Sequence, residues 1–138
     1  MKKQELLERL NSMSSNTLMD TLRIEYIDIG EDYLVASMPV NERVHQPMGI
    51  LHGGATVALA ESVASAAAHV FAQDADLEVR GIEIAANHLR SKKEGTVIAT
   101  ARSVHKGRST QLWEVRIEDE EGKLISICKM TAIILTRG

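Results

Sequence analysis

The stretch Gly53-Gly-Ala-Thr-Val-Ala-Leu-Ala-Glu-Ser-Val-Ala-Ser-Ala-Ala-Ala-His-Val-Phe-Ala-Gln73 decides the fold. It contains no proline, and its glycines stand only at its start. Its alanines favour helix at every position they occupy. A helix over Gly53 to Gln73 would be about 31 Å long at 1.5 Å per residue. Apolar residues fall on nearly all its sides, which predicts a helix covered by other elements instead of one lying on a surface. The small side chains of Ala55, Ala58, Ala60, Ala64, Ala66, Ala67 and Ala68 let those elements approach closely.

On the C-terminal side, four segments rich in β-branched and apolar residues read as strands: Val79 to His88, Thr96 to Val104, Thr110 to Glu118 and Lys123 to Leu135. Turn chemistry separates them at Lys92–Gly95, Lys106–Ser109 and Asp119–Gly122. On the N-terminal side, Arg23 to Ile29 and Tyr33 to Met38 read as a hairpin around Gly30-Glu-Asp32. Pro39 to Ile50 reads as a loop. Leu6, Leu7, Leu10 and Met13 recur at helical spacing, and a further helical turn covers Thr17 to Leu22. A sheet must bury one face and an apolar helix must be covered. The order therefore predicts an α+β fold, with a curved antiparallel sheet of about six strands wrapped around one long helix. The 138 residues make one domain, 1–138.

Composition narrows the function. Apolar residues are 44% and charged residues 25%, a globular balance. A net charge of −3 with only 3% aromatic residues argues against a nucleic-acid partner. The charged N-terminus and the lack of a run of ~20 apolar residues argue against a signal peptide or membrane span. A cytoplasmic protein is expected. The single cysteine, Cys128, sits in an apolar run and reads as a core residue. The histidines at 45, 52, 69, 88 and 105 show no paired ligand spacing, so no metal is expected.

Glu61 is the one ionisable residue between Gly53 and Ala68. Buried there without a partner it would be costly and its pKa would tend to rise. It is a candidate general base or nucleophile; the alternatives are a solvated stripe or a pair with an arginine. Ser65 shares its helix face at i+4. His52-Gly53-Gly54 stands where the helix begins, and the free amides of a helix start can polarise a carbonyl and stabilise an oxyanion. An isolated Gly-Gly would otherwise read as a flexible helix start, but one about two turns before Glu61 points to chemistry. His88, Arg90, Lys92 and Lys93, then His105, Lys106 and Arg108, form two basic groups at strand ends or turns. Such donors suit phosphates, and Gly107 allows close backbone approach. Taken alone, these groups read as surface charge.

Gln46-Pro-Met-Gly-Ile-Leu-His52-Gly53-Gly54-Ala-Thr-Val-Ala-Leu-Ala-Glu61-Ser62 resembles the hotdog-fold acyl-CoA thioesterases of the phenylacetate-pathway type. Within them it looks most like the branch that includes the dihydroxynaphthoyl-CoA thioesterase of menaquinone synthesis and the proofreading thioesterase of enterobactin synthesis. Met38-Pro-Val, Gly81-Ile-Glu-Ile-Ala-Ala-Asn-His88-Leu-Arg90 and Gln111-Leu-Trp113 carry the resemblance over nearly the whole chain.

The resemblance implies hydrolysis of an acyl-CoA, aryl or hydroxyaryl in its acyl part. Glu61 would be nucleophile or general base, and Gly53 would give its N–H to the thioester oxygen. Gln46 and His52 would orient carbonyl and water, and Ser65 would assist the carboxylate. Gly81, His88, Leu89, Arg90 and Ser91, with His105, Lys106, Gly107, Arg108, Ser109 and Thr110, would hold CoA. The resemblance also implies a homodimer with sites at the subunit interface, commonly paired into a tetramer. No cofactor is expected beyond the CoA of the substrate. Met48 stands where phenylalanine is expected in the acyl pocket, which leaves aryl selectivity open. A non-catalytic acyl-CoA-binding protein and an acyl-CoA hydratase are the competing readings on this fold.

Overall fold

The computed structural model describes residues 2–72 and 76–136. Two short helices, α1 (Lys3–Ser12) and α2 (Leu18–Thr21), precede a hairpin of β1 (Glu25–Ile29) and β2 (Tyr33–Val40). A single 3-10 turn at Glu42–Val44 leads to the long helix α3 (Gly53–Val70). Four strands follow: β3 (Leu77–His88), β4 (Gly95–Lys106), β5 (Thr110–Glu118) and β6 (Leu124–Thr136). All six strands belong to one antiparallel sheet in the order β1-β2-β4-β5-β6-β3. The sheet curls round α3, which touches β2 through β6.

The core lies between helix and sheet. Leu59, Ala60, Val63, Ala64 and Ala67 of α3 are fully buried, as are Met38, Ala99, Val115, Ile117 and Met130 from the strands. Trp113 is the largest buried side chain, and Phe71 stacks near it with ring centroids 6.3 Å apart. Alternation sets which strand residues face inwards: β2 reads Leu34, Ala36, Met38 and Val40 to the core, with half-exposed residues between.

Three expectations need correction. The helix is not covered all round: its buried residues lie on one face, while Gly54, Glu61 and His69 are exposed, because the sheet wraps one side only. The helix also ends at Val70, where the Phe71 N–H still bonds to the Ala67 carbonyl but the backbone turns away; Gln73 lies outside the described residues. The loop expected from Pro39 begins later. Pro39 pairs with Thr96 of β4, and β1 pairs no further than Ser37, so no β1 acceptor faces the position that lacks an N–H. Within the loop, His45 and Leu51 form an isolated antiparallel bridge.

Candidate active site

The start of α3 is tightly organised. His52 is its N-cap, with Nδ1 accepting the Gly54 N–H at 2.7 Å. The His52 carbonyl accepts both the N–H and the hydroxyl of Thr56. Gly53 N–H has no partner among the described residues. Gly53 lies close against His88: a Cβ there would sit 2.9 Å from His88 Nε2, so a larger residue would require the imidazole to shift. The preceding turn is closed by Gly49, at φ +77°, whose N–H donates to the Gln46 carbonyl. The Gln46 side-chain oxygen accepts the Met48 N–H, which turns its NH2 group the other way as a free donor. Gln46, Gly53, Thr56, His88, Arg90 and Ser91 line a pocket of about 370 Å³, with Ile50, Leu51, Leu89 and Ile125 as its apolar walls. Met48 is 81% exposed and does not line it. His52 lines a separate cleft with His45 and Ala58.

Glu61 is exposed in the single chain, so of the readings the sequence leaves open it is the solvated stripe that one chain presents. It leans over the middle of β3: a Cβ on Gly81 would lie 3.3 Å from Glu61 Oε2 and 3.1 Å from Met130 Sδ. No arginine pairs with Glu61 among the described residues. The Ser65 hydroxyl donates to Met130 Sδ at 3.5 Å, not to the carboxylate.

Two separations matter. Gly53 and Glu61 are eight residues apart on one helix, hence about 12 Å along its axis. One chain therefore does not place both around one carbonyl, which corrects the expectation that they lie near each other. The basic groups are also far apart. His88, Arg90 and Ser91 line the pocket at the C-terminal end of β3. Lys106, Gly107 and Arg108 line a hollow of about 360 Å³ with Leu77 and Val79 at its N-terminal end. β3 spans about 36 Å between these ends. In the second group, the Gly107 N–H closes the β4–β5 turn on the Thr110 carbonyl at 2.8 Å. A Cβ on Gly107 would meet His105 Nε2 at 2.7 Å. Lys106 Nζ lies over the rings of Phe71 and Trp113, at 5.4 and 5.5 Å. His105, Arg108, Ser109 and Thr110 are exposed. Lys92 is engaged with Glu120, whose carboxyl that bond holds down at about 2.

Sequence reasoning missed Ser126. It is completely buried, its Oγ lies 3.0 Å from His88 Nδ1, and it donates to the Asn87 carbonyl at 3.0 Å. A serine at an inward position between Ile125 and Ile127 was the available signal. Cys128 is buried in the core, and burial pushes its thiol pKa up, the opposite of what an active nucleophile needs. Among the described residues, no three His, Cys, Asp or Glu side chains converge as metal ligands. Among the same residues, no helix is long and apolar enough to cross a membrane.

A curled antiparallel sheet around one long helix, with His-Gly-Gly at its start and a carboxylate two turns on, defines a hotdog-fold thioesterase. The thioesterase superfamily profile matches residues 48–126, and the chain belongs to that family. It is 42% identical over 134 residues to the 1,4-dihydroxy-2-naphthoyl-CoA hydrolase of Escherichia coli (strain K12), covering 97% of this chain and 98% of that one. It is 41% identical over 134 residues to the proofreading thioesterase EntH of Cronobacter turicensis, covering 97% of each. The crystal structure of a thioesterase from Haemophilus influenzae superposes with a TM-score of 0.91 at 41% identity, covering 94% of this chain and 90% of that one.

Proposed function

We propose that the chain hydrolyses an acyl-CoA, with an aryl or hydroxyaryl acyl group, at sites built jointly by two copies. The observation that carries this reading is the pair of separations along α3 and β3. β3 is a sheet edge with no described strand on its outer side. If a second copy adds its own β3 there, antiparallel about a twofold axis, the His88 end of one strand comes beside the Leu77 end of the other. The pocket holding Gln46, Gly53, His88 and Arg90 of one copy then meets Glu61 and the Lys106–Thr110 turn of its partner. Residues that one chain keeps apart would thus form one site.

In that site, the Gly53 N–H and the Gln46 NH2 would polarise the thioester oxygen. Glu61 would either take a proton from the attacking water or add to the carbonyl itself. In the first case the C–S bond of the tetrahedral adduct breaks, the acid leaves, and the CoA sulfur takes the proton. In the second, the C–S bond of the adduct breaks, and CoA leaves as thiolate and takes a proton from solvent. The acyl–Glu61 anhydride that remains is hydrolysed by water to the free acid and the Glu61 carboxylate. The arginines would pair with the CoA phosphates. His52 acts through its cap on Gly54, which holds the amides of the helix start in place. Ser65 fixes Met130 beneath the carboxylate. The aryl preference draws on the hydroxyaryl thioester in the name of the Escherichia coli relative. The reaction needs no cofactor, and a cytoplasmic location fits the use of acyl-CoA.

A screen of acyl-CoA thioesters with free thiol as readout tests this. Aryl-CoA thioesters should be turned over, and Glu61→Gln should lose about 10²–10⁴-fold in kcat while keeping its fold. A Gln variant retaining more than about a tenth of wild-type kcat would contradict the assignment of Glu61.

A further inference from the structure

We propose that Ser126 is a positioning residue: it holds His88 as the Nδ1–H tautomer, so that Nε2 accepts a hydrogen bond from an N–H or O–H of the bound thioester beside Gly53. The inference rests on the thioesterase reading for its ligand, but not for its geometry. His88 and Ser126 are register partners on β3 and β6. The Asn87 carbonyl can only accept, so the Ser126 hydroxyl, 3.0 Å away, spends its one proton there. The same oxygen lies 3.0 Å from His88 Nδ1 and must then accept, so Nδ1 carries the ring proton. In a neutral imidazole this leaves the lone pair on Nε2. Cys128 Sγ, 3.6 Å from the hydroxyl, fills its remaining side. Ser126 is 0% exposed, so water does not compete to turn the hydroxyl.

The consequence falls in the pocket. His88 Nε2 is the atom that a Cβ on Gly53 would touch, which places it beside the amide proposed to hold the thioester oxygen. A lone pair facing an oxyanion would repel it, so Nε2 must be met by a donor instead. Two parts of the substrate supply one. The pantetheine arm, running from Arg90 towards Gly53, carries amide N–H groups. The acyl group can carry a hydroxyl. The chemistry is the same, and substrates lacking one or the other separate the sources.

The test is long-range proton–nitrogen NMR of the 15N-labelled protein, at a pH where the ring is neutral, with His88 assigned by its loss in His88→Gln. The wild type should show the Nδ1–H tautomer, and Ser126→Ala should move the proton to Nε2. A wild type already protonated on Nε2, or a tautomer unchanged in Ser126→Ala, overturns the proposal; the first needs no variant to fold. In kinetics, Ser126→Ala should raise KM roughly three- to tenfold with a smaller change in kcat. A KM effect on benzoyl-CoA that vanishes on a benzoyl thioester of a simple alkanethiol assigns the donor to the pantetheine amide. An effect confined to hydroxybenzoyl substrates assigns it to the acyl hydroxyl. An equal effect on the benzoyl alkanethiol ester, which has neither donor, or none on any substrate, overturns it. If the wild type cleaved no thioester, the functional reading would fail while the tautomer result stood.

Discussion

The two edges of the sheet are built in opposite ways. At one end, β1 is five residues long and α1 lies across it. The carboxamide of Asn11 on α1 behaves there like the peptide of a neighbouring strand: Oδ1 accepts the Tyr26 N–H at 2.7 Å, and Nδ2 donates to the Tyr26 carbonyl at 3.0 Å. Lys3 pairs with Asp28 beside it. At the other end, β3 is twelve residues long, its Ile82 is 59% exposed, and no described strand pairs with its outer side. An open strand edge invites pairing. One edge is sealed from within the chain, and the other is left open among the described residues.

The largest effect should come from spoiling the open edge. Ile82→Lys would set like charges near each other across the proposed twofold, which opposes pairing. Light scattering should then find monomer, and thiol release should fall by about 10²-fold or more if two copies build each site as proposed. A fully active monomer would show that the edge is merely exposed.

Unsealing the closed edge should cost less. Asn11→Ala strips both partners from the Tyr26 backbone, at about 1–3 kcal/mol. A lower urea midpoint with an unchanged slope would register it, and association beyond that of the wild type should appear at high concentration. No change in either would mean that α1 packing alone protects β1.

Smallest is the Lys3–Asp28 pair. Lys3 holds the Asp28 carboxyl below its ordinary value of 3.8. A depressed carboxyl contributes stability that is present above the unfolded value and lost as pH falls through the folded one. Asp28→Asn should therefore lower Tm slightly at pH 7, and the gap to wild type should close on acidification below that lowered value. A gap that stays constant would assign the effect to something other than charge.

The elements were legible because each is written in a local pattern. Alanine-rich helix, period-2 strands and Gly-containing turns place every strand within about three residues, the uncertainty ordinary for element ends. What the pattern did not carry is which way a residue of α3 faces. A lone carboxylate among alanines reads as buried whether it faces the core or a second copy, and Glu61 is exposed in the single chain. Its link to Gly81 on β3 spans twenty positions of sequence and depends on where α3 crosses the sheet. His88 and Ser126 lie 38 residues apart and meet only through the β3–β6 register. Asn11 reads as an ordinary polar residue near a helix end until Tyr26 is beside it. Family resemblance implied a CoA-holding role for residues that spacing alone left as surface charge.

The central claim is that each site takes residues from two copies, and a mixing experiment tests it most directly. Glu61→Ala damages the carboxylate half, and Gln46→Ala with Arg90→Ala damages the pocket half; each protein alone should be nearly inactive. Unfolding the two together and refolding them should give mixed dimers in which one site has both halves intact and the other neither. Activity should return to about a quarter of wild type for random pairing. No recovery, with mixed dimers verified by mass spectrometry, would mean that each chain holds a complete site, and would contradict the account.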